Sequence, residues 1–266
     1  MNNISIEKCG ESARYEIQLR TDLGGRADQQ DSAYVYTGDD LVFALVCDGM
    51  GGTENGALAS RIAVSSGRAL LLEYLKNQKD KNIPQFLIDA FVDLDAIVSQ
   101  ELGKRKGGTT AVAAFLEGDQ LYWFSSGDSR LYIFRGGDLV QATRDHNYFL
   151  RLNEQLQKGE INEQEYERES ARGEALISYL GVGGLPVFDL TSTPLELMDG
   201  DILLLTTDGL YKALPESLIA HVMSSSGSVV KMADKLMSQI QVLKSTVVLD
   251  NTTFALIQIT TKGDSQ

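Results

Sequence analysis

Imidazole and thiol are scarce in this chain: its 266 residues include two histidines, His146 and His221, and two cysteines, Cys9 and Cys47. Neither cysteine sits in a CxxC or other ligand spacing, so a zinc site or disulfide framework is not supported, and reduced thiols in a cytoplasmic protein are expected. Any metal site would have to be made of oxygen. Positive charge is also short. With 24 Lys+Arg against 37 Asp+Glu the formal charge is −13, which disfavours nucleic acid and anionic membrane surfaces as partners. The opening MNNISIEKCGESARYE lacks the apolar core and basic flank of a secretory leader, and no apolar run approaches the width of a bilayer. The four prolines are scattered, and no repeat or low-complexity tract marks a linker. One domain over residues 1–266 is therefore expected.

What is present reads as alternating blocks of strands and helices. Tyr34 to Tyr36 and the apolar run Leu41 to Cys47 are strand candidates. A helix from about Glu54 to Lys76 follows. A second helix carries Phe86, Leu87, Ala90, Phe91, Leu94, Ile97, Val98 and Leu102 on one stripe. From Thr109 to Ala142, the segments TTAVAAF, QLYWFS, RLYIFR and LVQA are divided by EGD, SGDS and GGD, links short enough to suggest a single antiparallel meander. The charged stretch from Arg144 to Ala175 reads as short helices outside the core. DILLLTTDG returns to a buried strand, Ser228 caps a further helix, and TFALIQIT is the last strand. The fold class implied is α+β, with helices layered on antiparallel sheets.

Two apolar strands run into the same dipeptide, Asp48-Gly49 and Asp208-Gly209. A carboxylate at the end of a buried strand is costly to desolvate unless a cation meets it. Asp-Gly is also a common turn dipeptide, although its recurrence after two similar strands weakens that explanation. Asp250 precedes the last strand, Asp128 lies in the tight SSGDSR link between two strands, and Asp31 stands in RADQQDS just ahead of the first strand. If such carboxylates converge, an all-oxygen donor set without His or Cys selects Mg²⁺ or Mn²⁺ over zinc. The glycine-rich DGMGGTENG fails as a phosphate loop, because Ala57 and Leu58 occupy the places of its lysine and hydroxyl. GVGGLP fails as a dinucleotide turn at Pro186. No GxSxG elbow is present, and His221 falls in a helix where a structural role is favoured. His146 is open to either a structural or a functional role. The Cys47 thiol, beside Asp48, reads as a small buried hydrophobe rather than a nucleophile.

Taken together, TDLGGRADQQDS, VCDGMGG, GGTTAV, SSGDSRLYIFR, TRDHN, LLLTTDGLY and DNTTFALI resemble, in order and approximate spacing, the protein phosphatase 2C (PPM) family of metal-dependent serine/threonine phosphatases. The resemblance runs from about Arg20 to Thr260, and the methionine of DGMGG is similar to the bacterial branch. It implies a four-layer αββα sandwich of two antiparallel sheets flanked by helices. It also implies a binuclear Mg²⁺ or Mn²⁺ centre, whose water or hydroxide attacks phosphoserine or phosphothreonine directly. By motif match Asp48 would bridge the two ions, the Gly49 carbonyl would bind one, and Asp208 and Asp250 would complete the other. Asp128, with Asp208, matches a third and weaker metal position. Arg26 matches the arginine that grips the substrate phosphate, and Asp31 the carboxylate that orients the attacking water. Residues from about 145 to 175 match a flap beside the site.

The partners implied are a phosphorylated protein substrate and a cognate serine/threonine kinase. The same resemblance leaves two alternatives, a catalytically silent regulatory or binding module and a phosphatase for a small phosphorylated metabolite. Three positions depart from the family pattern. Gln30 stands where many members have Glu, the GGR turn is one residue short, and Met50 replaces a histidine of animal members.

Overall fold

The computed structural model describes residues 4–8, 14–51, 53–77 and 82–260; Cys9 lies outside them. Four strands come first: β1 (Ile4–Lys8), β2 (Tyr15–Asp22), β3 (Asp31–Thr37) and β4 (Leu41–Met50). Two long helices, α1 (Thr53–Lys76) and α2 (Ile83–Leu102), precede β5 (Gly108–Thr109), β6 (Ala111–Glu117), β7 (Gln120–Ser126), β8 (Arg130–Arg135) and β9 (Asp138–Gln141). The charged excursion holds α3 (Tyr148–Gln157) and α4 (Glu163–Glu169). After it come β10 (Asp189–Leu190), β11 (Leu195–Glu196), β12 (Ile202–Thr206), α5 (Asp208–Tyr211), α6 (Glu216–Ser225), α7 (Val229–Lys244) and β13 (Thr252–Ile259).

The strands form two sheets, one in the order β1-β3-β4-β6-β7-β10 and the other β2-β13-β12-β8-β9. All pairings are antiparallel except β1 with β3, which is parallel. Strand β4 shows why the layers stack. Val42, Ala44 and Val46 face the other sheet, while Phe43, Leu45 and Cys47 face α1 and α2. Both faces are buried, so the sequence is a continuous apolar run rather than an alternation. The inner layer is mostly aliphatic, with Ala33, Ala44, Ala114 and Ala255 beside Val35, Leu203, Leu205 and Ile257. The buried phenylalanines lie in the outer layers. Phe43 and Phe115 meet the α1–α2 pair, and Tyr132 and Phe254 meet α6 and α7. Helix α7 begins where Ser228 accepts a hydrogen bond from the Lys231 N–H, the expected cap.

The single meander expected over Thr109 to Ala142 is not what forms. Strands β6 and β7 pair in the first sheet and β8 and β9 in the second, so SGDS passes from one sheet to the other. Stacked sheets lie about 10 Å apart. A three-residue link with its flanking bonds reaches about that far, so a short loop does not by itself imply in-sheet pairing.

Candidate active site

The inter-sheet rows change character at one end of the sandwich. Following Val46 and Ala44 along β4, the next residue on that face is Asp48; preceding Ala33 along β3, it is Asp31, and the two are register partners. From the opposite sheet the rows of β12 and β13 continue into Thr207 and Thr253. Thr207 Oγ1 donates to Asp31 Oδ2 at 2.9 Å and accepts from the Thr253 N–H at 3.0 Å. Asp31 is completely buried and its Oδ1 has no partner. Burial pushes its carboxyl up to about 7 against the hydrogen bonds of Thr253 and Thr207, with Asp208 and Asp250 adding to the rise.

The backbone of Asp48 is held by its N–H donating to Thr110 Oγ1 (2.9 Å) and by its carbonyl accepting from the Thr110 N–H and Thr109 Oγ1 (2.8 Å each). Its carboxyl is raised well above the ordinary range, first by burial and then by Asp31, Asp208, Asp128 and Asp250. No basic side chain among the described residues pairs with Asp48 or Asp31. Gly49 has a packing reason to be glycine: a Cβ there would stand 2.1 Å from the Gly56 carbonyl oxygen of α1. Gly49 and Gly56 of DGMGGTENG therefore let strand and helix backbones touch.

Asp128 lies in the link between the sheets, almost buried, and its carbonyl accepts from Tyr211 Oη at 2.9 Å. Burial and Asp208 push its carboxyl up to about 6, opposed by Lys212. Asp208 opens α5 rather than ending a strand; its Oδ1 is buried without a partner and its Oδ2 accepts from Lys212 Nζ at 2.8 Å. Lys212 Nζ also stands 3.7 Å from Asp128 and 3.3 Å from Glu174. Burial works against the Lys212 charge, but Asp208, Asp128 and Glu174 more than offset it and hold its pKa above the usual lysine range. Asp250, just ahead of β13, pairs through Oδ2 with Arg26 Nη2 at 2.5 Å.

Arg26 reaches this edge because the GGR turn is pressed on the 248–250 segment. The Gly25 N–H donates to the Leu249 carbonyl at 2.8 Å, and the Gly24 N–H donates to Asp22 Oδ1 at 2.7 Å. Gly24 has φ of +64°, and a Cβ on it would fall 2.2 Å from the Asp250 carbonyl oxygen. Gln30 is tied in through its backbone, its N–H donating to Asn251 Oδ1 at 2.8 Å and its carbonyl accepting from the Gly49 N–H at 3.1 Å.

A cleft of about 360 Å³ results, with Arg26, Asp48, Gly49, Asp128, Asp208 and Asp250 on its walls, all named from the sequence. Asp31 lies beneath the floor, outside the lining. Met50 and Glu174 line the cleft as well. The excursion borders it because its neck closes there, with Asn147 bridging to Leu176 and the His146 N–H donating to the Gly127 carbonyl at 2.9 Å. His146 itself is fully buried, 3.5 Å from Asp189, and does not line the cleft. His221 is exposed on α6. The Cys47 thiol is buried, and burial, then Asp31 and Asp48, push its pKa up. Sequence reasoning missed Thr110, Thr207, Glu174 and Lys212; only Lys212 had a local signal, four residues after Asp208 on one helical turn.

Donor chemistry fits a hard divalent cation: the groups are all oxygen, two of them are orphaned and buried, and Asp48 is surrounded by like charge. Among the described residues no three His, Cys, Asp or Glu side chains form a ready cage. Asp250 and Asp208 are engaged by Arg26 and Lys212 instead.

A model of the family described as protein phosphatase 2C matches residues 24–243. The chain belongs to that family. It is 30% identical over 227 residues to the serine/threonine phosphatase stp of Listeria welshimeri, covering 82% of this chain and 86% of the relative. The crystal structure of the Mycobacterium tuberculosis serine/threonine phosphatase PstP/Ppp superposes with a TM-score of 0.72 at 25% identity, over 93% of this chain and 100% of that one. The catalytic domain of PstP in complex with 2 manganese ions superposes with a TM-score of 0.69 at 24% identity, over 93% and 99%, which bears on the fold. The two-sheet architecture with helices on both outer faces is thus that of the PP2C phosphatases. Among the described residues no helix is long and apolar enough to cross a membrane.

Proposed function

We propose that this PP2C member is a Mg²⁺- or Mn²⁺-dependent serine/threonine phosphatase acting on phosphoproteins, with residues 145–175 as a flap on a single catalytic unit. The observation that carries the reading is the meeting of Asp31, Asp48, Asp128, Asp208 and Asp250 at one end of the sandwich, with Arg26 at the rim. Asp48, the Gly49 carbonyl, Asp208 and Asp250 would hold two ions. When bound, such ions supply a water acidic enough to attack phosphorus near neutral pH and the positive charge that an all-carboxylate cleft lacks.

The rest is work for the chain's own groups. Thr109 and Thr110 fix the Asp48 backbone, so its carboxylate is aimed before any ligand arrives. Buried beneath the floor and held by Thr207, Asp31 keeps one oxygen free to accept a hydrogen bond and so orient the attacking water. Arg26, half exposed and planar, can receive two phosphoryl oxygens side by side. Its present partner, Asp250, is also a proposed ligand, so the guanidinium is free for substrate only when Asp250 turns to a cation. The proposed partners are a phosphorylated protein and the serine/threonine kinase that produces it, and the cytoplasm is the proposed compartment.

The test is phosphate release from a phosphothreonine peptide with Mn²⁺ or Mg²⁺ added. Turnover that depends on the metal and is abolished in Asp208→Asn supports the reading. A wild type inactive with both metals sinks it, and faster turnover on sugar phosphates than on phosphopeptides redirects it to metabolites.

A further inference from the structure

The acidic end of the sandwich is met by two basic side chains of the chain itself, and they are placed differently. Arg26 reaches a single carboxylate from the rim. Lys212 Nζ instead stands among three, 2.8 Å from Asp208, 3.7 Å from Asp128 and 3.3 Å from Glu174. These come from α5, from the link that crosses between the sheets, and from the end of the excursion. Asp128 is 8% exposed and Asp208 17%, so two nearly dry carboxylates share this ammonium.

We propose that Lys212 is a built-in cation that occupies the space between Asp128 and Asp208, so that this protein holds two divalent ions and not a third. The inference rests on the metal-dependent reading above and goes beyond it, because it concerns a position where a metal does not fit while the lysine is in place. Mg²⁺ or Mn²⁺ would need the carboxylate oxygens at roughly 2.0–2.2 Å. An ammonium donating to Asp208 Oδ2 and 3.7 Å from Asp128 Oδ2 competes for the oxygens such an ion would need, and leaves Asp208 Oδ1 to the two-ion centre.

The competition also favours the lysine. Lys212 follows Asp208 by four residues on one helical turn, so its ammonium is presented at an effective concentration of the order of millimolar or more. A weakly held third ion has to displace a group that never diffuses away. The same ammonium contacts Glu174, so the charge that satisfies the two aspartates also ties down the returning end of the excursion.

Metal stoichiometry tests this independently of turnover. The full chain, stripped with a chelator, is titrated with MnCl₂ alone by calorimetry and by equilibrium dialysis. Wild type is expected to bind two ions. Lys212→Met, which keeps the aliphatic stem and removes the charge, is expected to bind three, and adding Asp128→Asn to it returns the count to two. Lys212→Arg, which keeps the charge, stays at two and controls for general damage to the helix. Equal counts in wild type and Lys212→Met overturn the proposal, as does a third ion in the Met variant that survives Asp128→Asn; both leave the phosphatase reading standing. No Mn²⁺ bound by any of the four proteins overturns both.

Discussion

Arg26→Ala separates a structural role from a substrate role, because the two predict effects of very different size. Among the described residues Arg26 has one ionic partner, Asp250, and the pair is open to solvent, 52% exposed on one side and 43% on the other. An exposed pair contributes on the order of 0.2–1 kcal/mol. For a chain of this length that is a loss in Tm of about 4 °C at most. If Arg26 instead receives phosphoryl oxygens, truncation removes charged hydrogen bonds worth about 1.5–3 kcal/mol in the reacting complex. That corresponds to a fall in kcat/KM of roughly 10- to 150-fold. The assay pairs thermal melting of the metal-free protein with steady-state kinetics on a phosphothreonine peptide at saturating Mn²⁺. Arg26→Lys should recover part of the kinetic loss, since it restores charge without the fork. A Tm lower by 8 °C or more with kcat/KM unchanged would refute the reasoning and make Arg26 a pin for the 248–250 segment.

Other outcomes follow from the surroundings of the cleft. Gly24→Ala puts a methyl group 2.2 Å from the Asp250 carbonyl oxygen at a φ of +64°, so it should lower activity at least tenfold by shifting Arg26 and Asp250 together; normal kinetics would contradict that packing. Asp22 is a test of pH dependence. Burial would raise its carboxyl, but Lys244, the Gly24 N–H and Gln241 outweigh burial and hold it below the ordinary range. A depressed carboxyl contributes stability that is fully present above the unfolded value of about 3.9 and is lost as pH falls through the folded value. The difference in urea midpoint between wild type and Asp22→Asn should therefore be constant from pH 5 to 7 and move in favour of the variant below pH 4; a gap unchanged at pH 2.5 would contradict this. Cys47, buried with a raised pKa, should resist alkylation at pH 8 until the protein is unfolded, as read by peptide mass spectrometry; rapid labelling in the native state would place that thiol elsewhere.

What the sequence disclosed and what it hid divide along contact range. Strand β4 and the stripe on α2 are local patterns, since apolar residues at strand or helix spacing report burial on the element that carries them. The five carboxylates were visible for a related reason: each lies at or next to the end of a largely apolar strand, where an unpaired charge is costly. Their convergence depends on which strand ends are neighbours, and that is set by sheet order. Link length misled for the same reason. SGDS is as short as a hairpin loop, and nothing in its four residues says that β7 and β8 belong to different sheets. Thr207 was equally silent, because its partner Asp31 is 176 positions away and a threonine after a buried strand is unremarkable in composition.

The rows of side chains between the sheets also govern how this gene can change. Asp31 and Asp48 reach the cleft only because they continue the parity of Ala33 and Val46, and a strand alternates faces with every residue. Inserting or deleting one residue between Val46 and Asp48 would turn the carboxylate toward α1 even if every apolar contact upstream survived. Length variation at β3, β4, β12 and β13 is thus forbidden in units of one. The excursion, which leaves and rejoins beside the Asn147–Leu176 bridge, can lengthen or shorten without altering that parity. The placement of Asp31 and Asp48 is thus copied by count along their strands, while the excursion is not held to that parity.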